Sequence, residues 1–258
     1  MRTDRIFTPQ PLAAGAQIAL EAGARRHVTQ VLRLAAGDPL VLFNGDGRDY
    51  AARLLDTGET ALVEVLDAGP EEPAPPLALT LALGISRGER MDYALQKAVE
   101  LGAAALVPLF TQRSLVKLKD DRLEKRLRHW HGVVVAACEQ SGRRRLPALA
   151  APSRLGAWLA ALPPTQPGMQ PGTHQGVLLH HAAERALPEL PAPVSAGDGT
   201  GALTLLVGPE GGLAADERAA AEARGFVPVR LGPRVMRTET APLAALAAIQ
   251  ALWGDFRG

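Results

Sequence analysis

The chain has 258 residues, 47% of them hydrophobic and 21% charged, with a formal net charge of +1. These values exclude wholesale disorder, a fibrous repeat and attachment to nucleic acid through the global field of the protein. Aromatic residues make up only 4%, which argues against a binding surface of stacked rings.

Cys138 is the single cysteine, so neither an intrachain disulfide nor a cysteine-based zinc site can form, and no metal is expected. The opening residues from Met1 to Pro9 hold no apolar signal segment. No stretch reaches the ~18 uncharged apolar residues that would span a bilayer. We therefore expect a soluble cytoplasmic protein with no membrane partner.

In residues 1–70 short apolar runs, Pro39–Phe43 and Ala61–Leu66, are separated by turn chemistry at Asn44-Gly-Asp-Gly47, the pattern of a small β-rich barrel. Four prolines between Pro70 and Pro76 then make a stiff connector, and we place the domain boundary there, with a first domain at 1–70, a linker at 71–76 and a second domain at 77–258. Past the connector strand and helix patterns alternate: strand Leu77–Ile85, helix Met91–Leu101 stopped by Gly102, strand Ala105–Leu109. A long helix follows, with Leu123, Leu127, Val134 and Cys138 near helical spacing and Arg122, Lys125, Arg126 and Arg128 on the other face.

The stretches Pro163–Gly176 and Pro188–Gly201 are dense in Pro, Gly and small polar residues and read as exposed loops on either side of a strand Val177–His180. The C-terminal part is the most regular: strand Leu203–Val207, loop Gly208–Gly212, helix Ala215–Arg224, strand Val227–Leu231, a second loop, and helix Ala241–Trp253. Units of this kind build a parallel sheet whose ligand site lies at the strands' carboxyl ends.

Basic residues cluster locally, with ten Lys or Arg against four Asp or Glu from Arg113 to Arg145, which suits either phosphate contacts or a solvated helix face. Gly197-Asp-Gly-Thr-Gly-Ala202 matches a dinucleotide fingerprint but precedes a strand instead of opening a helix, so it reads as a loop. Gly208-Pro-Glu-Gly-Gly212, in contrast, directly follows a buried strand, where glycines let backbone amides approach a flat ligand. The loop from Leu231 to Pro242 follows the next strand, with Thr240 placed as a helix N-cap and Pro242 in the first turn. Arg237 and Glu239 put charge at the mouth of an apolar sheet edge, where uncompensated charge is costly. Lys97 and Glu100, one helical turn apart, can pair with each other.

These two loops, Gly208–Gly212 and Arg237-Thr-Glu-Thr-Ala241, resemble the paired signature of the bacterial 16S ribosomal RNA uracil-N3 methyltransferases, a family of the SPOUT class. The resemblance extends through His27–Leu34, Phe43–Gly47, Gln96–Gly102 and Cys138–Arg143. Met236 stands where the family usually has Leu, a volume-conserving change, and the insertion Pro188–Gly201 departs from the pattern.

The resemblance implies a PUA-like β-barrel followed by an α/β SPOUT domain with a deep trefoil knot, acting as a homodimer on 16S rRNA of the 30S subunit. The implied cofactor is S-adenosylmethionine, held by Leu179, His180, Val207, Gly208, Pro209, Glu210, Gly211, Gly212, Leu231, Gly232, Val235, Met236, Arg237, Thr238, Glu239 and Thr240.

Methylating uracil N3 requires an unpaired base and removal of a proton, so a general base or an anion-stabilising cation is needed. Arg237, Glu139 and Arg143 are the candidates, although an ion pair explains Glu139 equally well. RNA contacts are expected from Arg2, Arg5, Arg25, Arg26, Arg33, Arg48, Arg87, Arg113, Gln140 and Arg144, positioning the substrate through its phosphates. A SPOUT ribose 2′-O-methyltransferase and a non-enzymatic ribosome-assembly factor are the alternatives, separated from the first reading by the product nucleoside and by cofactor binding.

Overall fold

A computed structural model describes residues 3–58, 60–114, 120–162, 175–193 and 200–257. The chain divides into two compact units, Met1–Pro73 with Val135–Leu146, and Ala74–Val134 with Pro147–Gly258.

The first unit is a mixed five-stranded sheet of β1 (Arg5–Phe7), β2 (Gln17–Ala19), β3 (Pro39–Phe43), β4 (Tyr50–Leu54) and β5 (Leu62–Ala68) in the order β1-β3-β4-β5-β2. β1 runs parallel to β3 and the other pairs are antiparallel. Alternating residues of β3, β4 and β5 point inward, so that Leu40, Leu42, Leu54, Val63 and Val65 close over Ile6, Ile18 and Val28 in one core. The β3–β4 turn is built as the sequence requires: Gly45 and Gly47 take positive φ of 91° and 100°, and the Asn44 and Asp46 side chains accept from the amides of Asp46 and Arg48.

Helix α1 (Ala22–Arg26) runs into a π-helical turn at His27–Val31, a feature without a signal in apolar spacing. That turn ends with Arg33 at φ 58°, a left-handed conformation that a non-glycine residue adopts at a cost.

The segment Val135–Leu146 groups with this unit, whereas the division at the Pro-rich connector puts it in the second domain. The reason is a set of polar ties. Arg5, whose side chain is 8% exposed, donates to the Cys138 and Arg143 carbonyls at 2.5 and 3.0 Å while pairing with Asp49 at 2.6 Å. The amides of Arg144 and Arg145 both donate to Glu72.

The second unit holds β6 (Leu77–Gly84), α2 (Glu89–Glu100), β7 (Ala105–Phe110) and α3 (Asp120–Ser141, whose last residues belong to the first unit). Then come β8 (Ala148–Leu149), β9 (Ser153–Arg154), α4 (Leu155–Ala161), β10 (Gln175–Leu179), β11 (Gly201–Val207), α5 (Ala215–Ala223), β12 (Phe226–Val229) and α6 (Thr240–Trp253). The strands form one parallel sheet in the order β12-β10-β11-β6-β7-β8, with β9 also pairing β7. Helices on its faces explain why β6, β10 and β11 are near-continuous apolar runs. β10 lies between β11 and β12, so the chain crosses over it through α5, and the ends of these three strands converge on one edge.

Lys97 and Glu100 pair at 2.7 Å, and Trp130, which the apolar spacing of α3 does not single out, is fully buried and donates to Asp92. Residues 163–174 and 194–199 of the two Pro/Gly-rich stretches lie outside the described residues, as does the first half of the fingerprint-like run. Its last two residues, Gly201 and Ala202, open β11.

Candidate cofactor cleft

A cleft of about 260 Å³ opens at the carboxyl ends of β10, β11 and β12, entirely within the second unit. Leu178, Leu179, His180 and His181 form one side, Val207 to Leu213 a second, and Leu231, Gly232, Arg234, Val235, Met236 and Thr238 a third, with Ala241 of α6, Arg113 and Arg218 completing it. Apolar walls and a few cations therefore surround a rim of backbone groups.

Gly208, which opens the first loop, leaves no room for a side chain, whereas Gly212 is required by its backbone conformation. A Cβ on Gly208 would stand 2.8 Å from the Gly212 carbonyl carbon, and one on Gly84, at the end of β6, would stand 2.5 Å from the Pro209 nitrogen. Gly212 turns back with φ 65°, its amide donating to the Pro209 carbonyl at 2.8 Å.

Polar contacts tie this loop to its surroundings. Burial would raise the proton affinity of Glu210, but the Arg87 amide at 3.0 Å and the Arg90 guanidinium at 3.2 Å outweigh it and hold the carboxyl below its ordinary range. Arg113 donates to the Gly211 carbonyl at 2.9 Å and Arg218 to the Leu213 carbonyl at 2.8 Å. The Thr238 hydroxyl lies 3.2 Å from that of Ser86 and 3.4 Å from the Gly208 carbonyl, so the two cleft loops meet there. Burial, then the neighbouring Arg218 and His181, lower the pKa of His180, which is therefore a neutral imidazole at neutral pH.

Of the sequence-expected cofactor residues, Leu179, His180, Val207 to Gly212, Leu231, Gly232, Val235, Met236 and Thr238 line the cleft. Arg237, Glu239 and Thr240 are not among its lining residues, and the Arg237 side chain is exposed. Thr240 is not the N-cap expected of it. Helix α6 already includes Thr240, and the Arg237 carbonyl accepts from the amides of Thr240 and Ala241 at 2.9 Å each, leaving no side-chain cap. The Glu239 carboxylate has a buried oxygen, Oε2, with no hydrogen-bond partner, 3.9 Å from Arg90 Nε.

Glu139 and Arg143 belong to the first unit. The electrostatic partners of Glu139 are His27 and Arg5. It accepts from the Phe7 amide at 3.0 Å, and burial raises its pKa against the opposing effects of that amide, His27 and Arg5.

Among the expected RNA contacts, Arg2 lies outside the described residues. Arg26, Arg33, Arg87 and Gln140 are exposed, and Arg25 reaches the Gly58 carbonyl. Arg48 and Arg144 hold the carbonyls of Gly69 and Pro70, and Arg113 belongs to the cofactor cleft. Arg5 is the outlier, because its guanidinium is spent on Asp49 and two carbonyls inside the unit.

Ser86, Arg90, His181 and Arg218 escaped sequence reasoning. Ser86 and Arg90 are 152 and 120 residues from Thr238 and Glu210, and no spacing rule connects them. Among the described residues no group of His, Cys, Asp or Glu is placed to hold a metal, and no helix is long and apolar enough to cross a membrane.

Comparison with known proteins gives two family matches, an RNA methyltransferase domain over residues 73–250 and an RNA methyltransferase PUA domain over residues 20–66. The ribosomal RNA small subunit methyltransferase E of Neisseria gonorrhoeae, solved bound to S-adenosylmethionine, is 36% identical with a TM-score of 0.86, covering 99% of this chain and 100% of its own. A Legionella pneumophila protein in complex with the same bound cofactor is 34% identical, with a TM-score of 0.89 and coverage of 99% and 100%. The ribosomal RNA small subunit methyltransferase E of Synechocystis is 32% identical over 92% of this chain and 74% of its own.

Proposed function

Because the chain belongs to the ribosomal RNA small subunit methyltransferase E family, we propose that it transfers a methyl group from S-adenosylmethionine to N3 of one uracil in 16S rRNA. The observation that carries this reading is the cleft itself, where two glycine-bearing loops and the end of β10 enclose a site at the crossover of a parallel sheet.

The residues present fit the cofactor. Leu178, Leu179, Leu231 and Met236 offer apolar walls to a planar adenine, and the Gly208 cradle, which a Cβ would fill, brings backbone groups to the rim. Arg113 and Arg218 retain guanidinium donors suited to a carboxylate. When bound, the cofactor supplies a sulfonium methyl group, open to in-line displacement by the uracil nitrogen.

The chain's task is then alignment, exclusion of water and management of one proton. The cofactor is assigned to the cleft residues together with their neighbours Arg237, Glu239 and Thr240, with His180 neutral beside it. Arg237, charged and exposed at the lip of the second loop, is assigned to stabilise the uracil anion. Glu139, Gln140 and Arg143 are assigned to the target nucleotide. Arg25, Arg26, Arg33 and Arg87 are assigned to RNA phosphates. The same family membership extends the proposal to a trefoil knot around the cleft, to a homodimer and to the 30S particle as substrate.

The test is to incubate the protein with labelled S-adenosylmethionine and 30S subunits from cells lacking the modification, then digest the RNA. Label in 3-methyluridine at one site is the expected result. Label in a 2′-O-methyl nucleoside would overturn the substrate chemistry, and RNA binding without transfer would overturn the enzyme.

A further inference from the structure

The turn from β6 into α2 touches both cofactor loops at once. Ser86 meets Thr238 of the second loop at 3.2 Å, and the Arg87 amide meets Glu210 of the first at 3.0 Å. Arg90, in the first turn of α2, reaches both loops with one side chain. Its NH1 group donates to Glu210 at 3.2 Å, and its Nε lies 3.9 Å from Glu239 Oε2. That oxygen is buried and has no hydrogen bond, a costly state for a carboxylate and one that a small approach of the guanidinium would relieve.

We infer that Arg90 is a positioning residue, a latch that couples Glu210 to Glu239 and tightens when cofactor occupies the cleft between the two loops. The inference rests on the methyltransferase reading of that cleft. Arg90 is not a lining residue, so it acts through the loops and not by touching the ligand itself. A planar guanidinium with several donors suits this task, because two carboxylates can be held by different nitrogens at the same time. Arg90 is half exposed, so the coupling operates near the weak end of the range for charged hydrogen bonds.

The test is a double-mutant cycle on S-adenosylmethionine affinity, measured by titration calorimetry with wild type, Arg90→Ala, Glu239→Gln and the double variant, each first shown to be folded by its urea transition. Arg90→Ala is expected to weaken binding about threefold to fivefold, and the double variant no more than the worse single change. Arg90→Lys, which keeps charge but not the fork, is expected to recover part of the affinity. A role in folding alone would lower the urea midpoint and leave the affinity of the folded fraction unchanged. Wild-type affinity in Arg90→Ala, or additive losses in the cycle, would overturn the latch. A wild-type protein that binds no cofactor would instead overturn the methyltransferase reading and the inference with it.

Discussion

Replacing Gly84 by alanine tests whether the first cofactor loop is held in place by close backbone approach. Gly84 ends β6, and its φ lies outside the left-handed region, so alanine brings no conformational penalty and the whole effect comes from one added methyl group. That methyl would stand 2.5 Å from the Pro209 nitrogen and Cδ and 3.0 Å from the Gly208 carbonyl carbon. These neighbours are backbone and a ring, not the far end of a flexible side chain, so relief requires the loop to move by about 1 Å, a displacement that costs on the order of 100-fold where reacting groups must be aligned. The crowding itself costs about 1–3 kcal/mol of stability, as overpacking of a tight interior does. Urea unfolding should show the second effect, and methyl transfer with calorimetric S-adenosylmethionine binding the first. A folded Gly84→Ala protein with unaltered affinity and turnover would refute the idea that this contact sets the loop.

Arg5→Met should destabilise the first unit by about 2 kcal/mol, because it leaves Asp49 with Arg144 alone at 3.5 Å and removes the Arg5 donors from two part-buried carbonyls, a loss that a urea midpoint measures directly. An unchanged midpoint accompanied by weaker RNA binding would instead restore Arg5 to the RNA surface. Arg33→Gly should raise stability by about 1 kcal/mol by relieving a left-handed non-glycine residue, while reducing the salt slope of RNA binding by about one. Filter binding across salt concentrations checks the second half, and an unchanged slope would remove Arg33 from the phosphate contacts.

The sheet of the second unit was legible because a parallel strand buried on both faces is written as an apolar run, and β6, β10 and β11 read that way within two residues of their ends. The short strands β1 and β2, three residues each, and the π-helical turn at His27–Val31 were not. Three residues carry too little alternation to register, and a π-helical turn places its apolar residues at neither the 2.0 nor the 3.6 period. The placement of Val135–Leu146 depended on Arg5, Asp49 and Glu72, which are distant in sequence and set no composition break.

The site divides along the same line. Backbone requirements are local, so the loop Gly208–Gly212 and the stretch Leu231–Thr238 announced themselves through glycine content and position after strands. Side chains that hold those loops are not local, and Arg90 stands 120 residues from Glu210. Polar residues at such separations look like any solvated surface, and only the fold reveals that Ser86, Arg87 and Arg90 make four contacts to two loops. A glycine-rich loop is free to collapse or to open, since the residues that permit close approach also permit other conformations. Its usefulness as a binding surface therefore depends on outside restraint. In this protein the β6–α2 turn supplies that restraint together with Arg113 and Arg218, and this is why energetically informative substitutions lie at Gly84 and Arg90 as well as in the loops themselves.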